Sequence, residues 1–327
     1  MMLANWLEKA RQVTFQQFAE NFIAARKATW ENKKHARQWP ASMQKYAFPV
    51  LGTVPIADID SVMILNVLEQ RVKTKGSDEQ RPFREAMPET AARVLQRMAV
   101  IFDAARARKL HKDENPARLV RNLDRLEPKH GKRKRRHHPS LHYRELPRFM
   151  QQLREHDGIS AAALHFLILT AARTSEVTGA RWNEIDLVRK IWTVPAERMK
   201  ARVEHRVPLT KEAVEVLRTL PRINGTSHVF PGARRDDSGL SNAAMDQLLK
   251  GMGYTGDRAT VHGFRSSFKT FFGEETRFPS GIVEAALAHR LKDKTEQAYS
   301  RGDLIKARRQ VMERWSRHCF TKAKRTK

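Results

Sequence analysis

The stretch KHGKRKRRHHP, residues 129–139, limits what this chain can fold into more than any other. Six of the eight residues from Lys129 to Arg136 are Lys or Arg, and none is acidic. Like charges at this density repel one another, and no large apolar side chain is present to draw the segment into a core. The block therefore reads as an exposed linker or arm between a unit of residues 1–128 and a unit of residues 140–327. A solvated tether or a localisation-like basic tract is the plain alternative to DNA contact by Lys132, Arg133, Lys134, Arg135 and Arg136. The position between two folded segments favours a linker that lies along phosphates.

The charge excess extends over the whole chain. Lys and Arg total 62 against 36 Asp and Glu, a formal charge of +26. Self-repulsion opposes compaction, so folding gains nothing from that excess. A polyanionic partner compensates it, and a basic surface is the electrostatic footprint of nucleic-acid binding. A membrane-surface protein shares the charge, but no apolar run of about 18 residues, signal peptide or lipidation motif occurs. The single Cys319 excludes an intramolecular disulfide framework and a Cys-based zinc site. The expectation from composition is a cytosolic, metal-free, nucleic-acid-binding protein, and the chemistry below calls for no cofactor.

Helical periodicity dominates the first unit. In TFQQFAENFIAARKATW, Phe15, Phe18 and Phe22 recur at i, i+3 and i+7. SVMILNVLEQRV and ETAARVLQRMAVIFDAARARKL are further amphipathic helices, and the polar KTKGSDEQRPFREAMP between them is expected to be irregular. ENPARLV restarts a short helix with Asn115 as its cap. In the second unit AAALHFLILTAAR is apolar almost all round, which predicts a buried helix. Ile191–Val194 and His205–Leu209 are β-prone runs around a charged connection, the pattern of a hairpin with Lys200 in or near its turn. Helices are expected from KEAVEVLRTL to LIKARRQVMERWSRHCF. The fold class is mainly α with a small antiparallel β-sheet.

Chemistry-capable residues sit in four separate stretches. TAARTSEV carries Arg173 and, three residues on, Glu176, a spacing that lets the carboxylate orient the guanidinium. The hairpin offers Lys200, HGFR offers His262 and Arg265, and LAHRLKDKTEQAYSR offers His289 and Tyr299. Singly, each has a bland explanation: a solvated helix end, a solubilising turn lysine, an amphipathic-helix aromatic. As an ordered set they suit one reaction, phosphoryl transfer at a DNA phosphodiester. A phenol with a pKa of about 10 needs its proton removed before it attacks. Arginines clamp the phosphate oxygens, a lysine protonates the leaving 5′-oxygen, and histidines take the phenolic proton or bind phosphate.

LTAARTSEVTGARWNEIDL, IWTVPAERMKARVEHRVPLT, VHGFRSSFKTFF and EAALAHRLKDKTEQAYSRGDL together resemble the tyrosine recombinases, specifically integrases of prophages and genomic islands. WENKKHARQWPASMQKYAFPVLG and DENPAR are similar to that family's helical, SAM-like core-binding domain. The resemblance implies a two-domain clamp around duplex DNA, a core-binding domain at 1–128 and a catalytic domain at 140–327. It implies Tyr299 as nucleophile, Arg173 and Arg265 as phosphate clamp, Lys200 as general acid and His262 as the general-base and phosphate-binding histidine. His289 falls where relatives carry His or Trp, and Glu176 is the acidic supporting residue. A homotetramer on synapsed DNA, monomeric when free, is implied, with a host DNA-bending protein and an excisionase as candidate accessory partners. Lys33, Lys34, His35 and Arg37 are candidate DNA contacts of the first unit, with a solvated helix face as the alternative. The chain begins almost directly at the core-binding helix, where island-type integrases usually carry an arm-binding domain. A non-catalytic DNA-binding protein and a type IB topoisomerase-like relaxing enzyme are the competing readings.

Overall fold

The computed structural model of the chain describes residues 13–30, 33–74, 78–120, 139–233, 237–289 and 303–321, without the side chains of residues 33–35. Two units emerge, Met1–Arg133 and Lys134–Lys327. The described residues are mostly helical, with one two-stranded and one three-stranded antiparallel sheet.

In the first unit the phenylalanine spacing becomes α1, Phe15–Lys27. Thr14 Oγ1 accepts from the Gln17 N–H at 3.3 Å and Gln17 Oε1 accepts from the Thr14 N–H at 3.1 Å, a reciprocal cap. Phe15, Phe18 and Phe22 are all buried. The next helix, α2 (Lys33–Ser42), contains Pro40, which removes one i→i−4 hydrogen bond. The chain continues as a π turn, Met43–Ala47, before regaining α geometry at Phe48–Leu51. Helix α3, Ser61–Glu69, starts where Asp60 accepts from the Met63 N–H at 2.8 Å. Helix α4, Pro88–Ala107, uses Pro88 in its first turn and supplies Phe102, which stacks on Phe15 at 5.5 Å. From α4, Arg97 donates to Gln38 O at 2.9 Å and lies over the Trp39 ring, holding the disrupted end of α2. Asn115 caps the helix that follows: it accepts from the N–H groups of Ala117 and Arg118, and its amide donates to Ala99 O and Asp103 Oδ1, each at 2.7 Å.

The described residues of the stretch expected to be irregular, 73–74 and 78–88, include regular structure instead. Strands β1 (Arg71–Lys73) and β2 (Gln80–Pro82) pair antiparallel, and a helical turn follows at Phe83–Ala86. In this ribbon only Val72, which packs against the core of the unit, and Pro82 are half-buried, and strands of three residues are too short to display the period of a half-buried strand. Its anchor is Phe83, fully buried and stacked on Tyr46 at 4.1 Å.

In the second unit α5 (Leu146–Leu153) leads to α6 (Ile159–Thr170), the apolar helix, which is buried on most sides. A short helix, α7 (Thr174–Thr178), follows. Strands β3 (Ile185–Asp186), β4 (Ile191–Val194) and β5 (His205–Pro208) form the three-stranded sheet in sequence order, with Ile185 opposite Trp192 and Val194 opposite His205. The expected hairpin is β4–β5. Among the described residues four helices follow the sheet before a last one: α8 (Lys211–Arg218), α9 (Ala244–Gly251), α10 (Gly263–Glu275) and α11 (Ser280–Ala286). The last described helix, α12 (Ile305–Cys319), buries Val311, Met312, Trp315 and Cys319. Trp315 donates its indole N–H to Ile168 O at 2.8 Å and packs on Phe268 and Phe271. The apolar stripe of this helix, compatible in sequence with a neighbouring protomer or with its own domain, is therefore packed on its own unit.

Candidate active site

Helix α6 is capped by Ala171, and Ala288 lies two residues after α11; both alanines adopt φ 49°, the left-handed region. A residue with a Cβ is disfavoured there by an amount of order 1–2 kcal/mol. The carbonyls around these two breaks are aimed at arginines. Arg265 Nη1 donates to Ala171 O, Arg265 Nη2 donates to Leu287 O at 2.7 Å, and Arg173 Nη2 donates to Ala288 O at 3.4 Å. Strain at the breaks is thus spent on pointing backbone dipoles at two cationic groups.

Arg173 occupies the cap position of α7, in extended geometry, rather than a place within the helix. Glu176, on the first turn, accepts from the Arg173 backbone N–H at 2.9 Å and from Arg173 Nη1 at 2.7 Å. The i, i+3 spacing in TAARTSEV therefore does bring carboxylate and guanidinium together, through a cap. The Glu176 side chain is only 4% exposed, so the pair is desolvated and removal of either partner strands a charge.

Arg265 lies in the first turn of α10 and is 6% exposed. Its bonds go to Ala171 O, Leu287 O and, at 3.1 Å, His289 Nε2, all neutral acceptors. Burial, with Arg173 beside it, lowers the guanidinium to about 10. Arg265 is buried and Arg173 half-buried; Glu176 pairs with Arg173, while no carboxylate bonds Arg265 directly, which leaves positive charge in a largely desolvated place. An anion with several acceptor oxygens is the natural occupant.

His262, exposed, immediately precedes α10. The turn that presents it needs Gly263: a Cβ there would stand 2.2 Å from Pro139 O. Thr260 fixes the same approach by donating its backbone N–H and its hydroxyl to Pro139 O, each at 3.1 Å. Lys200 is exposed on the 195–204 connection between β4 and β5. That connection is tethered through Arg198, whose Nη2 donates to Glu176 O and whose Nη1 donates to the Glu184 carboxylate, 2.6 Å from Oε2. Trp192 on β4 donates to the same carboxylate at 3.0 Å. Lys200 is thereby linked to the residue that holds Arg173.

The structure thus joins Arg173, Glu176, Arg265 and His289 in one bonded group, with Lys200 connected through Arg198. Sequence reading missed six participants: Arg198, Glu184, Glu284, Lys269, His205 and Arg308. Arg198 and Glu184 form a pair fourteen residues apart that no local spacing announces. Glu284, five residues before His289 on α11, lies 2.5 Å from His289 Nδ1 and 2.5 Å from Lys269 Nζ; that offset in EAALAH was the available signal. His205 on β5 is lowered to about 4, by burial first and by Arg308 next, with Glu176 and Arg173 also felt. Arg308 is 2% exposed, donates from Nε to Asp303 O at 2.5 Å, and helps set the start of α12.

Tyr299 lies outside the described residues, as do Lys132, Arg133, Lys134, Arg135 and Arg136. Lys33, Lys34 and His35 open α2, their side chains outside the description, and Arg37 is exposed on the same helix. Among the described residues no helix is long and apolar enough to cross a membrane, and no group of three or more His, Cys, Asp or Glu gathers as a metal site.

The chain is similar to known proteins in sequence and in fold. The phage integrase family profile matches residues 139–303, and the phage integrase central domain profile matches residues 15–122. The chain is 33% identical over 301 residues to prophage integrase IntZ of Escherichia coli K12, spanning 91% of this chain and 69% of that protein. Prophage integrase IntA of the same strain is 28% identical over 312 residues, spanning 94% of this chain and 70% of its own length. In fold, a lambda integrase tetramer bound to a Holliday junction superposes with a TM-score of 0.66 at 17% identity, covering 89% of this chain and 82% of the lambda chain.

Proposed function

This chain belongs to the phage integrase family, the tyrosine-type site-specific DNA recombinases, and from that premise we propose that it breaks and rejoins duplex DNA through a 3′-phosphotyrosyl link on Tyr299. The observation that carries this reading is Arg265, a desolvated guanidinium bonded to neutral acceptors beside Arg173. It is a cation prepared for the non-bridging oxygens of a phosphodiester.

In this reading His262 takes the Tyr299 proton as general base, and the phenolate oxygen attacks phosphorus. Negative charge that grows on the non-bridging oxygens is met by Arg173 and Arg265, already positioned before substrate arrives. The P–O5′ bond breaks, Lys200 delivers a proton to the departing oxygen, and the phosphate remains bonded to Tyr299. Attack by a 5′-hydroxyl of a partner strand reverses these steps. Bond energy is conserved in the phosphotyrosine, so the cycle consumes no nucleotide.

The same reading assigns the helical unit of residues 1–128 to core-site binding, with Lys33, Lys34, His35 and Arg37 on phosphates. The basic block of residues 129–139 is assigned further phosphate contacts. Four protomers synapse two sites, an arrangement supported by the similarity to the lambda integrase tetramer on a Holliday junction. The activity serves integration or excision of a prophage or genomic island in the bacterial cytoplasm, at the nucleoid. A host DNA-bending protein and an excisionase are its candidate accessory partners.

The test is covalent trapping on nicked suicide duplexes made from the DNA flanking the native gene. An adduct that survives denaturant is expected, as is DNA binding that weakens steeply with salt as condensed counterions are released. Binding with no adduct on any flanking duplex would reduce the protein to a DNA-binding one.

A further inference from the structure

Hydrogen-bond chemistry determines where the proton of His289 sits. A guanidinium has five N–H donors and no acceptor, so the 3.1 Å contact from Arg265 Nη2 makes His289 Nε2 the acceptor. The other ring nitrogen, Nδ1, stands 2.5 Å from Glu284 Oε2, and a carboxylate only accepts. The single proton of a neutral imidazole is therefore on Nδ1 and is donated to Glu284. The second carboxylate oxygen, Oε1, lies 2.5 Å from Lys269 Nζ, one turn along α10 from Arg265. The four side chains form a closed path in which α10 contributes both ends, Lys269 and Arg265, and α11 and the turn after it contribute Glu284 and His289.

We propose that Glu284 is a positioning residue of the recombination reaction: anchored by Lys269, it fixes His289 as the Nδ1–H tautomer, and His289 in turn orients the Arg265 guanidinium. In this arrangement His289 acts on the phosphate clamp rather than donating to the phosphate itself. The third neutral acceptor on Arg265 is a side chain, unlike the carbonyls of Ala171 and Leu287, and so it is the one whose acceptor character depends on proton position. The charged groups facing the ring are Glu284 on α11, Arg265 on α10 and Arg173 at the start of α7. Burial is the largest influence and lowers the imidazole below its usual value; Glu284 opposes it, and both arginines add to it. Protonation at Nε2 would place an N–H against the Arg265 donors and release that arm of the fork, so the relay works with His289 neutral.

The kinetic part of this inference rests on the recombinase reading above; the spectroscopic part does not. Nitrogen-15 NMR of the imidazoles in the DNA-free protein, with His289→Gln for assignment, should show the His289 proton on Nδ1 near neutral pH. In Glu284→Ala the ring should redistribute between tautomers. Adduct formation should then fall about 10- to 100-fold, by analogy with the outer partners of metal-bound histidines. Glu284→Gln still offers a carbonyl acceptor, so it should keep the Nδ1–H tautomer and recover most of the rate. Its acidic limb should move to lower pH, because the carboxylate no longer favours the imidazolium. A wild-type proton on Nε2, or Glu284→Ala with unchanged tautomer and pH profile, would overturn the proposal. A protein that shows the Nδ1–H tautomer yet never forms an adduct would contradict the recombinase reading and leave the Glu284 wiring standing.

Discussion

The arginine side of the candidate site and the Lys200 side differ in how much of the protein holds them. Arg265 is bonded to two carbonyls and an imidazole, and Arg173 to Glu176 and to Ala288 O, with the two side chains largely desolvated. Lys200 is exposed on a connection tethered by a neighbour two residues away. The difference separates two kinds of chemical task. Charge stabilisation gains most when the donors are oriented before the reaction, since no reorganisation is then needed at the barrier. Proton delivery to a leaving group is needed only once substrate is seated, and a loop that closes late can supply it.

The sharpest test of this contrast is Lys200→Ala. Adduct formation should fall about 10²- to 10⁴-fold, the range for a lost general acid, while the thermal midpoint stays within a degree or so of wild type. A duplex carrying sulfur in place of the 5′-bridging oxygen should restore the rate, because a thiolate leaves without a proton. A variant that melts early would show that Lys200 belongs to the fixed side.

Arg265→Ala should combine a kinetic and a stability effect. Loss of one preorganised donor group costs about 10²- to 10³-fold in rate, and the carbonyls of Ala171 and Leu287 lose their partner. Stranding them should lower stability by about 1–3 kcal/mol in denaturant titration. An Arg265→Ala protein as stable as wild type would mean that these carbonyls find water easily and that the pocket is less desolvated than its geometry indicates.

Acid should weaken the fixed side. His205, which senses Arg173 and Glu176, and His165, on α6, are each lowered from 6.5 to about 4, with burial as the first cause. The unfolded chain therefore binds more protons than the folded one between those values. Stability should be complete above about pH 6.5 and decline as pH falls towards 4. His205→Asn should flatten part of that decline in a series of thermal melts; an unchanged slope would remove His205 from the arginine pocket.

Much of this was legible in the sequence because it depends on local chemistry. The apolar run of α6, the phenylalanine spacing of α1, the Asn115 cap and the β4–β5 hairpin each follow from side-chain periodicity or from a hydrogen bond spanning a few residues. The strands of the β1–β2 ribbon are three residues long, too short to show a period, and its contacts are distant ones: Val72 on the core and Phe83 stacked on Tyr46. The cradle around Arg265 was illegible for a different reason. It is made of backbone carbonyls at Ala171 and Leu287, and a carbonyl has no residue identity to recognise. Arg198 with Glu184 and Lys269 with Glu284 are ordinary charged residues in sequence, and only the packing of the elements gives them their partners.

The central claim is that this prepared pocket serves an attack by Tyr299. The most direct measurement is covalent trapping on a nicked duplex with wild type and Tyr299→Phe side by side, followed by mass analysis of the DNA-linked peptide. The account predicts an adduct on the peptide containing Tyr299, no adduct for the Phe variant, and nearly equal DNA binding by both. A Phe variant that still forms the adduct, or a link mapped to another residue, would contradict it.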